Sequence, residues 1–490
     1  MKHLEFDFNN MFSFNIGAKD GVRPEELEKM SATIRQSHRH LTDLIKNRPN
    51  RIKNALEWTQ LPWQDKNSLN ELKKLGNEIA GKYDQVISLG IGGSYLGLKA
   101  AQDALCPAYY NDFGSVRGGR PRIYFEGNNL DPEPLKLLLK NLEAKKTFVI
   151  VISKSGETTE TKAALEVVEP WLKKFIGKNY GRQIFAITDP KSGTLRRKVN
   201  EAQKKDCLSF RNLPLLEGVG GRFSELNIGL LHLAIAGVDI EAVLEGAGAM
   251  AKRCSSPSLY NNPAYMYAVL HTICYQKKNK PIAVLMPFSE KLKSTADWYI
   301  QLLAESLGKK YRRIIRQLPD GIEKWEDDRS KPVYVGRTPV SARGTNDLHS
   351  IQQNNIEGEN NKATTFIRVE NFVHDLKIPQ TDNFLAGKNY SDLLTAAVEA
   401  TEWALVREKR PNCTIIMPQI TPFNWGELIF FFEMATAFEG ELLQINAFNQ
   451  PGVESYKNYM YYKLKKPGLP EVIKEDIEQN PLKKKPRFIL

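Results

Sequence analysis

The chain is predicted to be an α/β protein with mainly parallel sheets. Three observations lead there: short apolar runs alternate with amphipathic helical stretches, the alternation occurs twice, and glycine-rich or hydroxyl-rich turns follow particular runs. The first series is Val86-Ile87-Ser88-Leu89, Arg122-Ile123-Tyr124-Phe125, Thr147-Phe148-Val149-Ile150-Val151-Ile152 and Gln183-Ile184-Phe185-Ala186-Ile187-Thr188. The second is Pro281-Ile282-Ala283-Val284-Leu285-Met286, Val333-Tyr334-Val335-Gly336, Thr364-Thr365-Phe366-Ile367-Arg368-Val369 and Cys413-Thr414-Ile415-Ile416-Met417. Runs of this length between helices suit parallel strands covered on both faces. Residues 1–60 are polar with helix-like spacing, and Pro24-Glu25-Glu26 reads as a helix start. Beyond residue 465, Pro467, Pro470, Pro481 and Pro486 among many charges predict a tail that wraps the surface or moves freely. The expected division is an N-terminal helical segment (1–60), a first α/β domain (61–215), a second (216–457), and a C-terminal helix with a basic tail (458–490).

A length of 490 residues also calls for several cores rather than one. With 41% hydrophobic and 26% charged residues, the composition is that of a soluble globular protein. The N-terminus lacks the apolar stretch of a signal peptide, and the longest apolar run, Ile228 to Val238, is broken by His232. A cytoplasmic protein that neither spans nor binds a membrane is expected. Cys106, Cys207, Cys254, Cys274 and Cys413 lie far apart without a C-x-x-C pair, so no disulfide framework or thiolate metal site is indicated. The net charge of +12 is spread along the chain, with clusters at Lys309 to Arg316 and Lys483 to Arg487. That pattern lacks the aromatic interleaving of a single-strand nucleic-acid binder and fits a small anionic substrate.

Two turns have the makings of a phosphate cradle. Gly90-Ile91-Gly92-Gly93-Ser94 follows the first strand and opens a helix, where backbone N–H groups can approach an anion. It has neither the third glycine of a dinucleotide fingerprint nor the Gly-Lys-Ser/Thr of a P-loop, so a nucleotide is not indicated. Ser153-Lys154-Ser155-Gly156-Glu157-Thr158 follows the strand at 147–152 and precedes an amphipathic helix. Hydroxyls, an ammonium and the positive end of a helix dipole meet there, a set suited to a phosphate monoester.

Four further positions carry potential chemistry. Arg222 follows Gly220-Gly221, which leaves room for its forked donors to approach a ligand. Glu305 shares a helix face with Trp298 and Leu302, a costly place for a carboxylate unless it is paired or used as a base; Lys309 and Lys310 are alternative partners. His349 lies in a polar turn with no second spaced histidine, so no metal is indicated. In Phe448-Asn449-Gln450-Pro451-Gly452-Val453-Glu454-Ser455-Tyr456-Lys457, a turn into a helix sets the Gln450 amide and the Lys457 amine seven residues apart, aimed at one cleft.

The two cradle turns on a duplicated α/β pattern resemble the sugar isomerase (SIS) domain. This implies two flavodoxin-like, three-layer α/β/α domains. The 448–457 stretch resembles the C-terminal signature of the glucose-6-phosphate isomerase family, and the likeness extends over about residues 85 to 457, with Gly440 through Lys457 matching throughout. Behind Gly220-Gly221-Arg222-Phe223-Ser224 the chain departs from the family: Glu225-Leu226-Asn227-Ile228-Gly229 is one residue short and carries an acid. The resemblance implies reversible conversion of glucose 6-phosphate to fructose 6-phosphate without a cofactor. Glu305 would move the proton, Arg222 would stabilise the enediolate, and His349 and Lys457 would open the ring. Ser153, Lys154, Ser155 and Thr158 would hold the phosphate, with Gly93, Ser94 and Gln450 around the sugar. It also implies a homodimer in which each site borrows its histidine from the other subunit. A mannose-6-phosphate or dual-specificity isomerase, or a non-catalytic phosphosugar sensor, are the alternative readings.

Overall fold

The computed structural model describes residues 2–490. The first element is a short strand, β1 (Glu5–Asp7), within the segment expected to be helical. The Pro24 helix start is observed: Pro24–Lys46 opens with proline in its first turn, and the Glu26 carboxylate accepts the Arg23 N–H at 2.9 Å.

The first sheet consists of β2 (Gln85–Leu89), β3 (Arg122–Glu126), β4 (Thr147–Ile152), β5 (Ile184–Thr188) and β6 (Arg211–Pro214). All are parallel, in the spatial order β3-β2-β4-β5-β6. Every residue of β2, β4 and β5 is buried, which explains their continuous apolar sequence. One face of the sheet packs Val86, Phe148, Ile150 and Phe185 against Ile79, Ile228 and Leu231 from helices. The other packs Ile87, Val149 and Val151 against Leu165, Val168 and Val199. The result is three layers in a flavodoxin-type order, whose direction of winding reverses between β2 and β4. Ligands of open α/β sheets bind at the carboxyl ends beside such a reversal.

The second series begins with β7 (Ile282–Pro287), followed by the helix Lys293–Leu307. An antiparallel hairpin of β8 (Arg313–Gln317) and β9 (Glu323–Asp327) comes next. Then come β10 (Thr338–Ser341), β11 (Lys362–Asn371) and β12 (Asn412–Gln419), which with β7 form four parallel strands. The order is β1-β12-β11-β7-β10, with β1 antiparallel at the edge. Winding again reverses, between β7 and β11. The strand predicted at Val333–Gly336 is not one. Tyr334 and Gly336 have φ of 46° and 123°, which break the extended backbone, and the strand forms instead at Pro339-Val340 and their neighbours.

The helix Pro422–Leu443 is buried along nearly its whole length, with apolar residues on every side and four glutamates buried among them. Residues up to Ala447 form one compact unit, and Phe448–Leu490 form a second. The second holds the helices Glu454–Lys463 and Glu471–Gln479, so part of the predicted tail is helical. The five cysteines are unpaired. Among the described residues, no helix is long and apolar enough to cross a membrane.

Candidate active site

The glycine turn after β2 touches the turn that carries Arg222. A methyl group on Gly93 would lie 2.1 Å from the Gly221 carbonyl oxygen, so only glycine lets the two main chains approach this closely. Gly92 in turn lies under Gln301, whose Nε2 would be 2.9 Å from a Cβ at that position. The mouth of the first sheet thereby reaches the Lys293–Leu307 helix of the second series.

Arg222 is 3% exposed and its guanidinium is satisfied on three sides. Nε donates to Ser306 Oγ at 2.8 Å, one terminal nitrogen to Glu305 Oε2 at 3.1 Å, and the other to the Ala447 carbonyl at 2.7 Å. Burial lowers its pKa from the usual arginine value, opposed by the Glu305 charge. It stays cationic, since a guanidinium starts so far above neutrality. Glu305 completes the pair with its side chain 31% exposed, so one carboxylate carries a buried counter-ion and still faces open space. Its other oxygen accepts from Gln301 Nε2 at 3.3 Å, one helical turn away. The carboxylate therefore pairs with Arg222, and among the described residues neither Lys309 nor Lys310 forms an ion pair with it. Lys309 instead donates to the carbonyls of Glu305 and Ser306.

The 153–158 turn leaves β4, the strand beside β2. Ser153 Oγ accepts the Gly156 N–H and Ser155 Oγ accepts the Glu157 N–H, both at 3.0 Å. Thr188 Oγ1 donates to the Ser153 carbonyl at 2.7 Å, tying the turn to β5. Lys154 and Ser155 are exposed. Thr158 is the N-cap residue of the Thr159–Ile176 helix, and its hydroxyl makes no capping bond. A cavity of about 360 Å³ opens here, lined among others by Ser153, Gly156, Thr161, Lys162 and Thr194. Ser94, half-buried, ends the short turn Gly92–Ser94 on the neighbouring strand. The structure thus sets the glycine turn and the hydroxyl turn side by side at the winding reversal, with Arg222 and Glu305 against the glycine turn.

His349 stands exposed at the end of the turn Asn346–His349. In the C-terminal unit, Gln450 precedes the turn Pro451–Val453, and Lys457 lies in the first turns of Glu454–Lys463, 2.9 Å from Glu454. The sequence reading did not single out Gln301, Ser306 or the main-chain role of Lys309. Spacing of four from Glu305 was the one available signal for Gln301. Behind Arg222, the extra acid Glu225 is fully buried beside Glu433. It accepts the Trp298 indole N–H at 2.8 Å, and burial pushes its pKa up to about 7 and that of Glu433 well above the carboxylate range. Among the described residues, no cluster of three or more His, Cys, Asp or Glu is placed to hold a metal ion.

The phosphoglucose isomerase family profile matches residues 71–467. The glucose-6-phosphate isomerase of Carboxydothermus hydrogenoformans is 37% identical over 99% of this chain and 99% of its own. That of Clostridioides difficile is 34% identical over 98% of this chain and 99% of its own. Among solved structures, a hypothetical protein from Thermus thermophilus aligns with a TM-score of 0.79 at 31% identity, covering 94% of this chain and 99% of that one. A glucose-6-phosphate isomerase from Chlamydia trachomatis shares the fold, with a TM-score of 0.70 at 22% identity over 94% of this chain and 91% of that one.

Proposed function

The chain belongs to the phosphoglucose isomerase family, and from that premise we propose that the Arg222–Glu305 site interconverts glucose 6-phosphate and fructose 6-phosphate. The observation that carries the reading is the ion pair itself: a partly exposed carboxylate, 3.1 Å from a buried guanidinium, beside the glycine turn of a sheet whose next strand ends in hydroxyls. The phosphate would be held by Ser153, Lys154, Ser155 and Thr158, remote from the reacting carbons, so that its binding energy orients C1 and C2. Gly93, Ser94 and Gln450 would surround the sugar.

After ring opening, Glu305 takes the proton from C2 of the aldose and the C2–H electron pair forms the enediolate. The hydroxyl proton on O2 passes to O1, and the same carboxyl returns its proton to C1 as the O2 charge closes the C2 carbonyl, giving the ketose. Arg222 suits both moments. While Glu305 is ionised the guanidinium faces its charge; once Glu305 is protonated, the negative charge lies on a substrate oxygen and the same donors are available to it. His349 and Lys457 would exchange protons with the ring oxygen and the anomeric hydroxyl. The exposed turn that carries His349 suits a residue that serves the site of a second subunit, so the working form is proposed to be a homodimer.

The test is direct. Fructose 6-phosphate is supplied in the presence of EDTA, and glucose 6-phosphate is detected through its dehydrogenase. Sustained formation is expected; no formation contradicts the reading.

A further inference from the structure

The Lys293–Leu307 helix ends without a left-handed residue: Gly308 has φ −70° and ψ 91°, so its last carbonyls need another donor. The Gly308 N–H turns back to the Ala304 carbonyl at 3.0 Å, and the Lys309 N–H leaves the helix for the Val335 carbonyl at 2.9 Å. The carbonyls of Glu305 and Ser306 are taken by a side chain instead. Lys309 Nζ donates to both, at 2.9 Å for Ser306. Lys309 is only 7% exposed, an uncommon setting for a lysine, and among the described residues it has no carboxylate ion pair.

We propose that Lys309 is a positioning residue for the isomerisation, clamping the main chain of Glu305 and Ser306 while Arg222 grips the side chains of the same two residues. The two cations do different work. The Arg222 bond to Glu305 depends on the charge of the carboxylate and weakens when Glu305 carries the substrate proton. The bonds from Lys309 go to carbonyls and do not depend on that charge. The helix end is therefore held through both halves of the proton transfer, which keeps the carboxyl aligned with two neighbouring carbons in turn. The charged groups facing the Lys309 amine are Arg222 from the turn Gly221–Phe223, Glu305 on its own helix and Asp327 from β9. Burial first, then Arg222, brings its pKa down to about 7, against the opposing pull of Glu305 and Asp327. Lysine is charged below that point and neutral above it.

The inference rests on Glu305 acting as the base, so Glu305→Gln belongs in the same assay series. Lys309→Met is expected to lower kcat about tenfold or more with KM within about threefold, and Lys309→Arg to recover most of the loss. The ratio of Lys309→Arg to unsubstituted kcat should also rise as pH passes upward through about 7, where lysine sheds its charge and arginine does not. That comparison decides the matter if the methionine variant fails to fold. An unchanged kcat in Lys309→Met, a raised KM with unchanged kcat, or a ratio flat with pH would each overturn the role. An inactive Glu305→Gln beside an unaffected Lys309→Met removes only the clamp. An active Glu305→Gln removes the base assignment on which it stands.

Discussion

At the scale of single residues, Arg222 shows how geometry distributes the donors of one side chain. Its three nitrogens donate in three directions, to a hydroxyl, a carboxylate and a main-chain carbonyl, which is the use of a planar fork that lysine cannot copy. Arg222→Lys keeps a charge and loses most of this arrangement. It is expected to reduce kcat by about 10² in the coupled assay, the usual scale for losing an oxyanion donor; activity within about threefold of the unsubstituted enzyme would be inconsistent with that role. Arg222 and Glu305 stood out in the sequence because each breaks a local rule: an arginine behind paired glycines, and a carboxylate on an apolar helix face. Gln301 and Lys309 break none. An amide and a lysine look alike on a surface and in a site, and what gives these two their contacts is the Gly92 turn and the uncapped helix end, both tertiary features.

At the scale of elements, four helices meet at a buried acid pair. Glu225 opens the helix Glu225–Ala236, and Glu433 comes from Pro422–Leu443. Trp298 donates from Lys293–Leu307, and Gly97 in Leu96–Leu105 makes room: a methyl there would fall 2.1 Å from Glu225 Cγ. Burial first, then the neighbouring Glu225 charge, holds Glu433 well above the carboxylate range, because two buried carboxylates resist ionising together. Both pKa values are raised in the folded chain, so the pair's contribution to stability is complete below the ordinary carboxylate range. It is lost as pH rises through about 7 for Glu225. Glu433→Gln keeps a donor and removes a titrating group. It should flatten the decline in thermal stability between acid and mildly alkaline buffer, with a gain of about 1 kcal/mol on the alkaline side. Parallel loss of stability in both proteins would contradict this account. The acid at 225 was visible in the sequence, but its distant partner at 433 was not.

The elements differed in legibility for a physical reason. Strands β2, β4, β5 and β7 are buried and read as continuous apolar runs. The edge strand β6, Arg-Asn-Leu-Pro, is only half-buried and the hairpin strand β8, Arg-Ile-Ile-Arg-Gln, is largely exposed, and both escaped notice. The β10 displacement came from Val333 and Val335, whose β-branched side chains promised a strand that the left-handed Tyr334 prevents.

At the scale of the whole molecule, the α/β pattern is used twice, and the candidate site lies where the glycine turn of the first sheet meets a helix of the second series. Duplication was readable from the repeated runs; the approach of Gly93 to Gly221 and of Gly92 to Gln301 was not, since sequence gives no distance between series. A homodimer with exchanged histidines makes a further prediction. Glu305→Gln and His349→Ala should each be inactive alone, whereas unfolding and refolding them together should restore about a quarter of full activity, because half the dimers are mixed and each mixed dimer has one intact site. No recovery would confine His349 to its own subunit. The central claim is that one carboxyl, at residue 305, carries hydrogen between C2 and C1. It is tested most directly by measuring both fructose 6-phosphate binding and turnover in Glu305→Gln. Affinity close to the unsubstituted protein with turnover lowered about 10² or more is the expected result, and turnover near normal would contradict it.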